Sequence, residues 1–155
     1  MSEQESTGAM PAAAPTIYPA LGYRDARAAI SWLCEAFGFE ELMVHPGEDR
    51  REVAHAELGF GSGILMLGSQ RDGAPGAGDV ALEASSSGDI DFSRVPFSIY
   101  VAVSDVDDHC ERARAAGAEI AREPADTPYG SREYACRDLE GNAWSFGTYR
   151  PTAAG

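Results

Sequence analysis

Hydrophobic and polar positions along the chain change period in a fixed order, and that order occurs twice. "TIYPALGY" (16–23) reads as a strand, with Pro19 placing it near an edge or bulge. "RDARAAISWLCEAFGF" (24–39) switches to helical spacing, because Ala29, Ile30, Leu33, Cys34 and Phe37 recur at steps of three and four. Asp25 is placed to cap that helix and Gly38 to end it in the left-handed region. "FEELMVHP" (39–46), "REVAHAELGF" (51–60) and "GSGILMLGSQ" (61–70) follow as predicted strands between turns rich in Gly, Glu and Asp.

The second half restarts with a strand, "PFSIYVAV" (96–103), and a helix, "SDVDDHCERARAAG" (104–117). Ser104 or Asp105 is its N-cap, its first turn is acidic, its end is basic, and Gly117 closes it. Three more strands follow, "AEIAREPA" (118–125), "SREYACRD" (131–138) and "NAWSFGTY" (142–149). In the last one Trp144 and Phe146 share a face that reads as core, with Ala143, Ser145 and Gly147 opposite. The chain is thus expected to be α+β, two β-α-β-β-β modules in tandem. Helix cap Asp25 repeats as Asp105, and matching the turn glycines sets Gly63 against Gly141 and Leu67 against Ser145. The expected boundaries are a disordered tail at 1–15, modules at 16–70 and 96–150, and a Gly-, Ser- and Asp-rich flexible linker at 71–95.

Composition narrows what such a chain can do. It has 155 residues, enough for two small fused halves with a sizeable core, and 44% of them are hydrophobic. With 25 acidic against 12 basic side chains, the net charge of −13 repels phosphate backbones and anionic membranes. Nucleic acid and membrane are therefore not expected partners. Cys34, Cys110 and Cys136 are too widely and irregularly spaced for a disulfide framework or a zinc site, and read as reduced thiols of a cytoplasmic protein. The start "MSEQESTGAMPAAAP" lacks a basic region followed by an apolar core.

The stretches "YRDARAAISWLCEAFGF", "VAVSDVDDHCERARAAGAEI" and "PYGSREYACRDLEGNAWSFGT" together resemble the vicinal oxygen chelate superfamily, the glyoxalase, bleomycin-resistance protein and extradiol dioxygenase group. The resemblance covers residues 16 to 150. It implies that each module's mixed sheet curves around a cleft, which in metal-dependent members holds four ligands, one in the first and one in the last strand of each module, each usually His or Glu. Here those places fall on Tyr18, Leu67 (or Gly68 with a shift of one residue), Ser98 and Ser145. None is a competent ligand for a divalent metal, so no metal and no cofactor is expected.

The candidate ligand-binding residues are Tyr18, His55, Glu57, Ser98, Tyr100, Tyr129, Arg132 and Ser145. His55 and Glu57 form an i, i+2 pair on one strand face; such a pair can bind metal, but two ligands are too few for a tight site. His45 precedes Pro46 near a turn, and His109, on the second helix, is expected to face solvent. "PYGSRE" (128–133) is a loop at the cleft mouth, where Tyr129 and Arg132 either touch a ligand or serve the turn. The leading expectation is a bleomycin-resistance-type protein that sequesters a small organic molecule, aromatic or cationic and possibly an antibiotic. The resemblance adds a homodimer with shared clefts. The alternatives are a metal-dependent lyase, isomerase or oxygenase, and a metal-independent catalyst with His55 or Glu57 as general base.

Overall fold

The structure, a computed structural model, describes residues 14–71 and 88–153. The expected tail (apart from residues 14 and 15) and residues 72–87 of the linker lie outside the described residues. The first module is β1 (Ala20–Tyr23), α1 (Ala26–Phe37), β2 (Glu40–Pro46), β3 (Val53–Phe60) and β4 (Gly63–Ser69). The second is β5 (Ile99–Ala102), α2 (Val106–Ala115), β6 (Glu119–Asp126), β7 (Arg132–Arg137) and β8 (Ala143–Gly147). Their four-stranded sheets have the same order, β1-β4-β3-β2 and β5-β8-β7-β6. In each, the first strand runs parallel to the last and the other pairs are antiparallel. The expected α+β duplication is the architecture observed, and bulges in β2 and β6 bend each outer strand.

Local chemistry sets the helix ends. Asp25 accepts from Ala28 N at 3.0 Å and Asp105 from Asp108 N at 3.0 Å, each satisfying a donor that the first helical turn leaves unpaired. Gly38 ends α1 at φ 86°, a conformation costly for any residue with a Cβ. Asp107 and Asp108 in the first turn of α2, and Arg112 and Arg114 in its last, complement the helix dipole.

The helices of the two modules pack on each other, and one buried cluster runs through both halves. Leu33 and Phe37 of α1, Cys110 and Ala113 of α2, and Trp144 and Phe146 of β8 belong to it. Phe37 lies 5.0 Å from Trp144 and 4.7 Å from Phe146, ring centroid to centroid, so the first helix reaches the second sheet directly. One face of each sheet is consumed in this core. The opposite faces point outward, away from the helices.

Polar contacts lock the modules in register. The Asp138 carboxylate, 6% exposed in the β7–β8 turn, accepts from Tyr23 Oη of β1 at 2.7 Å and from Trp144 Nε1 at 3.0 Å. Asn142 Nδ2 and the Asn142 and Glu140 amides complete its donor set. Burial and the adjacent carboxylate push the Tyr23 phenol well above its ordinary range, so it stays a donor. From the same turn, Glu140 accepts from the Arg24 and Asp25 amides at 2.8 and 2.9 Å. At the other end of α1, Arg112 donates to the Glu35 and Cys34 carbonyls and Trp32 Nε1 to Ala116 O. The Glu35 and Ala116 carbonyls at the ends of the two helices are thereby covered by the other module, while Cys34 O also accepts from Gly38 N.

His109 corrects the solvent-facing expectation. Its ring is half-buried between the modules, with Nε2 2.8 Å from Phe37 O and Nδ1 2.6 Å from Tyr134 Oη. A carbonyl can only accept, so Nε2 carries the proton and Nδ1 accepts from the phenol. Burial holds this imidazole below its usual pKa. The sequence could not reveal this, because the contact exists only once the two modules are packed.

Asp138→Ala strands the Tyr23 and Trp144 donors in the core and should cost on the order of 3 kcal/mol. Tyr23→Phe, which leaves Asp138 its other donors, should cost about 1 kcal/mol, with urea unfolding midpoints measuring both. The unfolded chain protonates His109 near its ordinary pKa while the folded chain resists, so this contribution is present above that pKa and is lost as pH falls below it. The wild-type midpoint should therefore fall more between neutral pH and about pH 5 than that of His109→Gln.

Candidate functional site

The two outward faces are the sheet surfaces that the shared core leaves open for binding chemistry. On the second sheet, alternation places Glu133 and Ala135 of β7, Tyr100 of β5, and Ser145 and Gly147 of β8 on that side. Tyr134, Cys136, Trp144 and Phe146 point into the core. Part of the outward face is roofed by residues 88–92. Arg137 donates to the Gly88 and Asp89 carbonyls at 2.7 and 3.2 Å, while Arg122 donates to Asp89 Oδ1 and Ile90 O at 2.6 and 2.7 Å. The Arg122 guanidinium also sits 5.1 Å from the Phe92 ring centroid. Ile90 is consequently 1% exposed. Beside this strap an open groove of about 610 Å³ remains, its walls including Phe92, Arg122, Pro128, Glu133, Ala135 and Ser145.

At the end of the sheet the Tyr100 ring lies across Gly147 and donates to Tyr149 O at 2.7 Å. Only a glycine leaves room for it. A Cβ on Gly147 would stand 2.7 Å from the Tyr100 hydroxyl and 2.5 Å from Glu133 Cγ. Tyr129 donates to Glu133 Oε1 at 3.0 Å, and its ring meets that of Tyr149 edge-on at 6.2 Å. Burial, then the nearby Glu133 charge, raises the Tyr100 phenol; for Tyr129 the hydrogen bond to Glu133 is the main cause of a rise. Both remain neutral donors at physiological pH.

The outward face of the first sheet is built differently. Glu57 lies between Met43 and Met66 across the strands, and His55 opposite His45. His55 Nε2 is 2.9 Å from Glu57 Oε2, with both side chains partly exposed. The described residues contain no group of three or more His, Cys, Asp or Glu able to hold a metal ion.

The eight candidates therefore separate into places. Tyr100 and Ser145 share the second outward face, and Tyr129 stands at its margin. His55 and Glu57 are together on the other sheet. Tyr18 precedes β1 and spends its hydroxyl on Pro15 O at 2.8 Å. Ser98, exposed just before β5, lines a groove of about 470 Å³ between Pro19–Leu21 and Phe97–Tyr100. Arg132 points to the helix side, paired with Asp107 of α2 at 2.8 Å and Asp126 at 3.1 Å.

Leu67 does not occupy the position set against Ser145. It is 3% exposed in the helix-facing core, whereas register pairs Ala20 with Met66 as it pairs Tyr100 with Ser145. The reason is turn length. Only Gly61 and Ser62 separate β3 from β4, against residues 138–142 between β7 and β8, so Gly63 opens its strand while Gly141 precedes its own. Met66 therefore takes the fourth place, and its thioether suits hard divalent ions no better than leucine. The donor set Tyr18, Met66, Ser98 and Ser145 does not fit a His/Glu-ligated divalent metal. Glu133, Tyr149 and Phe92 were missed. Glu133 was reachable from the sequence, because apolar Tyr134 and Cys136 force it outward; the other two depend on loop conformation.

Two mixed β-α-β-β-β sheets with their helices in a shared core define a protein of the vicinal-oxygen-chelate architecture. The chain belongs to the Glyoxalase/Bleomycin resistance protein/Dioxygenase superfamily, whose family model matches residues 17–146. It is similar to the uncharacterized protein Mb0911c of Mycobacterium bovis, with 32% identity over 134 residues, 86% of this chain and 82% of that one. Among solved structures it is similar to TioX from Micromonospora sp. ML1, with 34% identity, a TM-score of 0.64, and coverage of 86% of this chain and 98% of that one. Glyoxalase I from Zea mays shares the fold at 18% identity and a TM-score of 0.61, covering 87% of this chain and 44% of that one. No helix among the described residues is long and apolar enough to cross a membrane.

The seat of Tyr100 on Gly147 is directly testable. Gly147→Val should unseat the phenol and cost about 1–3 kcal/mol. Tyr100→Phe, costly in the wild type through loss of the Tyr149 bond, should cost nearly nothing in the Gly147→Val background, a coupling read from a double-mutant cycle of urea midpoints.

Proposed function

We propose that this protein binds a small organic molecule without metal, on the outward face of the second sheet, and acts by sequestering it. The observation that carries this reading is a contrast on one fold. The four family ligand positions offer a phenol, a thioether and two hydroxyls, yet the adjacent face keeps a groove of about 610 Å³ with Phe92 and Ser145 in its walls. A concave site of that size with a few polar groups suits a drug-sized, partly aromatic ligand. The net charge of −13 favours a basic one.

A homodimer belongs to the same proposal. β1 and β5 are edge strands, each hydrogen-bonded on one side, and Ile17 and Phe97 beside them are 87% and 55% exposed. Unpaired edges flanked by exposed apolar side chains favour association. A second copy there would turn open faces into enclosed clefts. Free Cys34, Cys110 and Cys136 fit a reducing cytoplasm.

A second reading is favoured by His55 and Glu57, whose 2.9 Å contact on the first outward face could supply a general base to an enzyme of the same family.

The deciding experiment is metal content by plasma mass spectrometry, on protein purified without chelators or an affinity tag, followed by a thermal-shift screen of aromatic and cationic compounds. Metal is expected well below about a tenth per chain even after incubation with nickel, zinc, iron or manganese, with saturable stabilisation by some cationic aromatic compounds. Near-stoichiometric metal would overturn the metal-free reading. Chemical turnover of a bound compound, lost in His55→Ala while binding persists, would replace sequestration with the second reading.

A further inference from the structure

Three tyrosine rings and one carboxylate converge at the end of the second sheet, beyond the groove floor. Tyr100 lies over Gly147, Tyr129 comes from the β6–β7 loop, and Tyr149 follows β8. The Tyr129 and Tyr149 rings stand at 81° to each other, which opens two perpendicular aromatic walls. These two rings are 63% and 50% exposed, unusual for large aromatic side chains that have a core within reach. Glu133 stands between them and Tyr100, with Oε1 accepting from Tyr129 Oη.

Among the described residues Glu133 makes no ion pair: Arg132 is held by Asp107 and Asp126, and Arg122 by Asp89. A ring face is electron-rich, and perpendicular rings around a fixed negative charge favour a soft, weakly hydrated cation over a neutral group. The Tyr100 and Tyr129 hydroxyls are committed to Tyr149 O and to Glu133, so the faces of those two rings, not their hydroxyls, are what they offer.

We propose that Tyr100, Tyr129, Tyr149 and Glu133 form a cation-recognition corner that takes the alkylated ammonium group of a ligand. The corner deepens the ligand-binding reading and rests on it for the rest of the molecule, which would extend along the groove toward Ser145 and Phe92. Phe92 sits at the groove's other side, so the ligand's chemistry is specified at two points: an ammonium at the corner and an apolar or aromatic body against Phe92.

The test uses choline and its uncharged isostere 3,3-dimethylbutan-1-ol, which have nearly the same shape and differ in charge. Choline should shift the tyrosine ring resonances of the full-length protein saturably, and the alcohol should not. Glu133→Gln should weaken choline at least about fivefold, and Tyr149→Leu, an exposed position that leaves the core intact, should weaken it similarly. Equal response to both probes, no response to either, or unchanged choline affinity in both variants overturns the proposal. If the variants instead alter the sedimentation of the protein while choline leaves the rings unmoved, the tyrosines are a contact with a second copy and the corner is withdrawn. Choline needs no groove ligand, so the two readings fail separately. A corner that binds choline beside a groove that retains no compound leaves this inference standing without the broader one.

Discussion

The arrangement of the molecule hangs on one buried carboxylate. Asp138 is six percent exposed and surrounded by donors from both modules, Tyr23 on one side and Trp144 and Asn142 on the other. A buried charge without partners is strongly unfavourable, so this turn tolerates only the geometry in which Tyr23 reaches it. That single demand brings β1 of the first module against the last turn of the second. Glu140 then clamps the start of α1, and Phe37 is carried to Trp144 and Phe146. Apolar burial supplies the bulk of the stability; the carboxylate fixes which of many apolar packings is adopted.

What this fixes for function is direction. With both helices and one face of each sheet committed to a common core, the other faces look outward and are free to diverge. They have diverged. The first carries His45, His55, Met43, Glu57 and Met66, and the second Tyr100, Glu133, Ala135 and Ser145. The two halves share caps, strand order and pairing, because those are set by packing. They do not share surface chemistry, because nothing in the core constrains it. One scaffold can in this way host catalysis in some relatives and binding in others.

Much of this was legible from the residues, and the limit has a physical form. Asp25, Gly38 and Asp105 were readable because a cap is a local hydrogen bond or a local φ. The inward Trp144 and Phe146 and the outward Ser145 were readable because strand parity is local too. Leu67 was misplaced because parity along β4 depends on turn length, and one residue inverts the face. His109 was misread for a different reason. Its partners, Phe37 O and Tyr134, like the Asp107 and Asp126 partners of Arg132, are brought near by tertiary packing that no local pattern encodes.

The strap at 88–92 joins these arguments. In sequence it is the tail of a Gly-, Ser- and Asp-rich stretch, and composition alone assigns it to flexible linker. In the structure Arg122 and Arg137 hold it through the Gly88, Asp89 and Ile90 carbonyls and the Asp89 carboxylate. Ile90 anchors it, and Phe92 then faces the groove. A segment fixed by its backbone can change its side chains without losing its position. With the backbone held there, Phe92 is where this fold can vary what the groove accepts, while the Tyr100–Gly147 contact, in which an added methyl collides at once, is where it cannot.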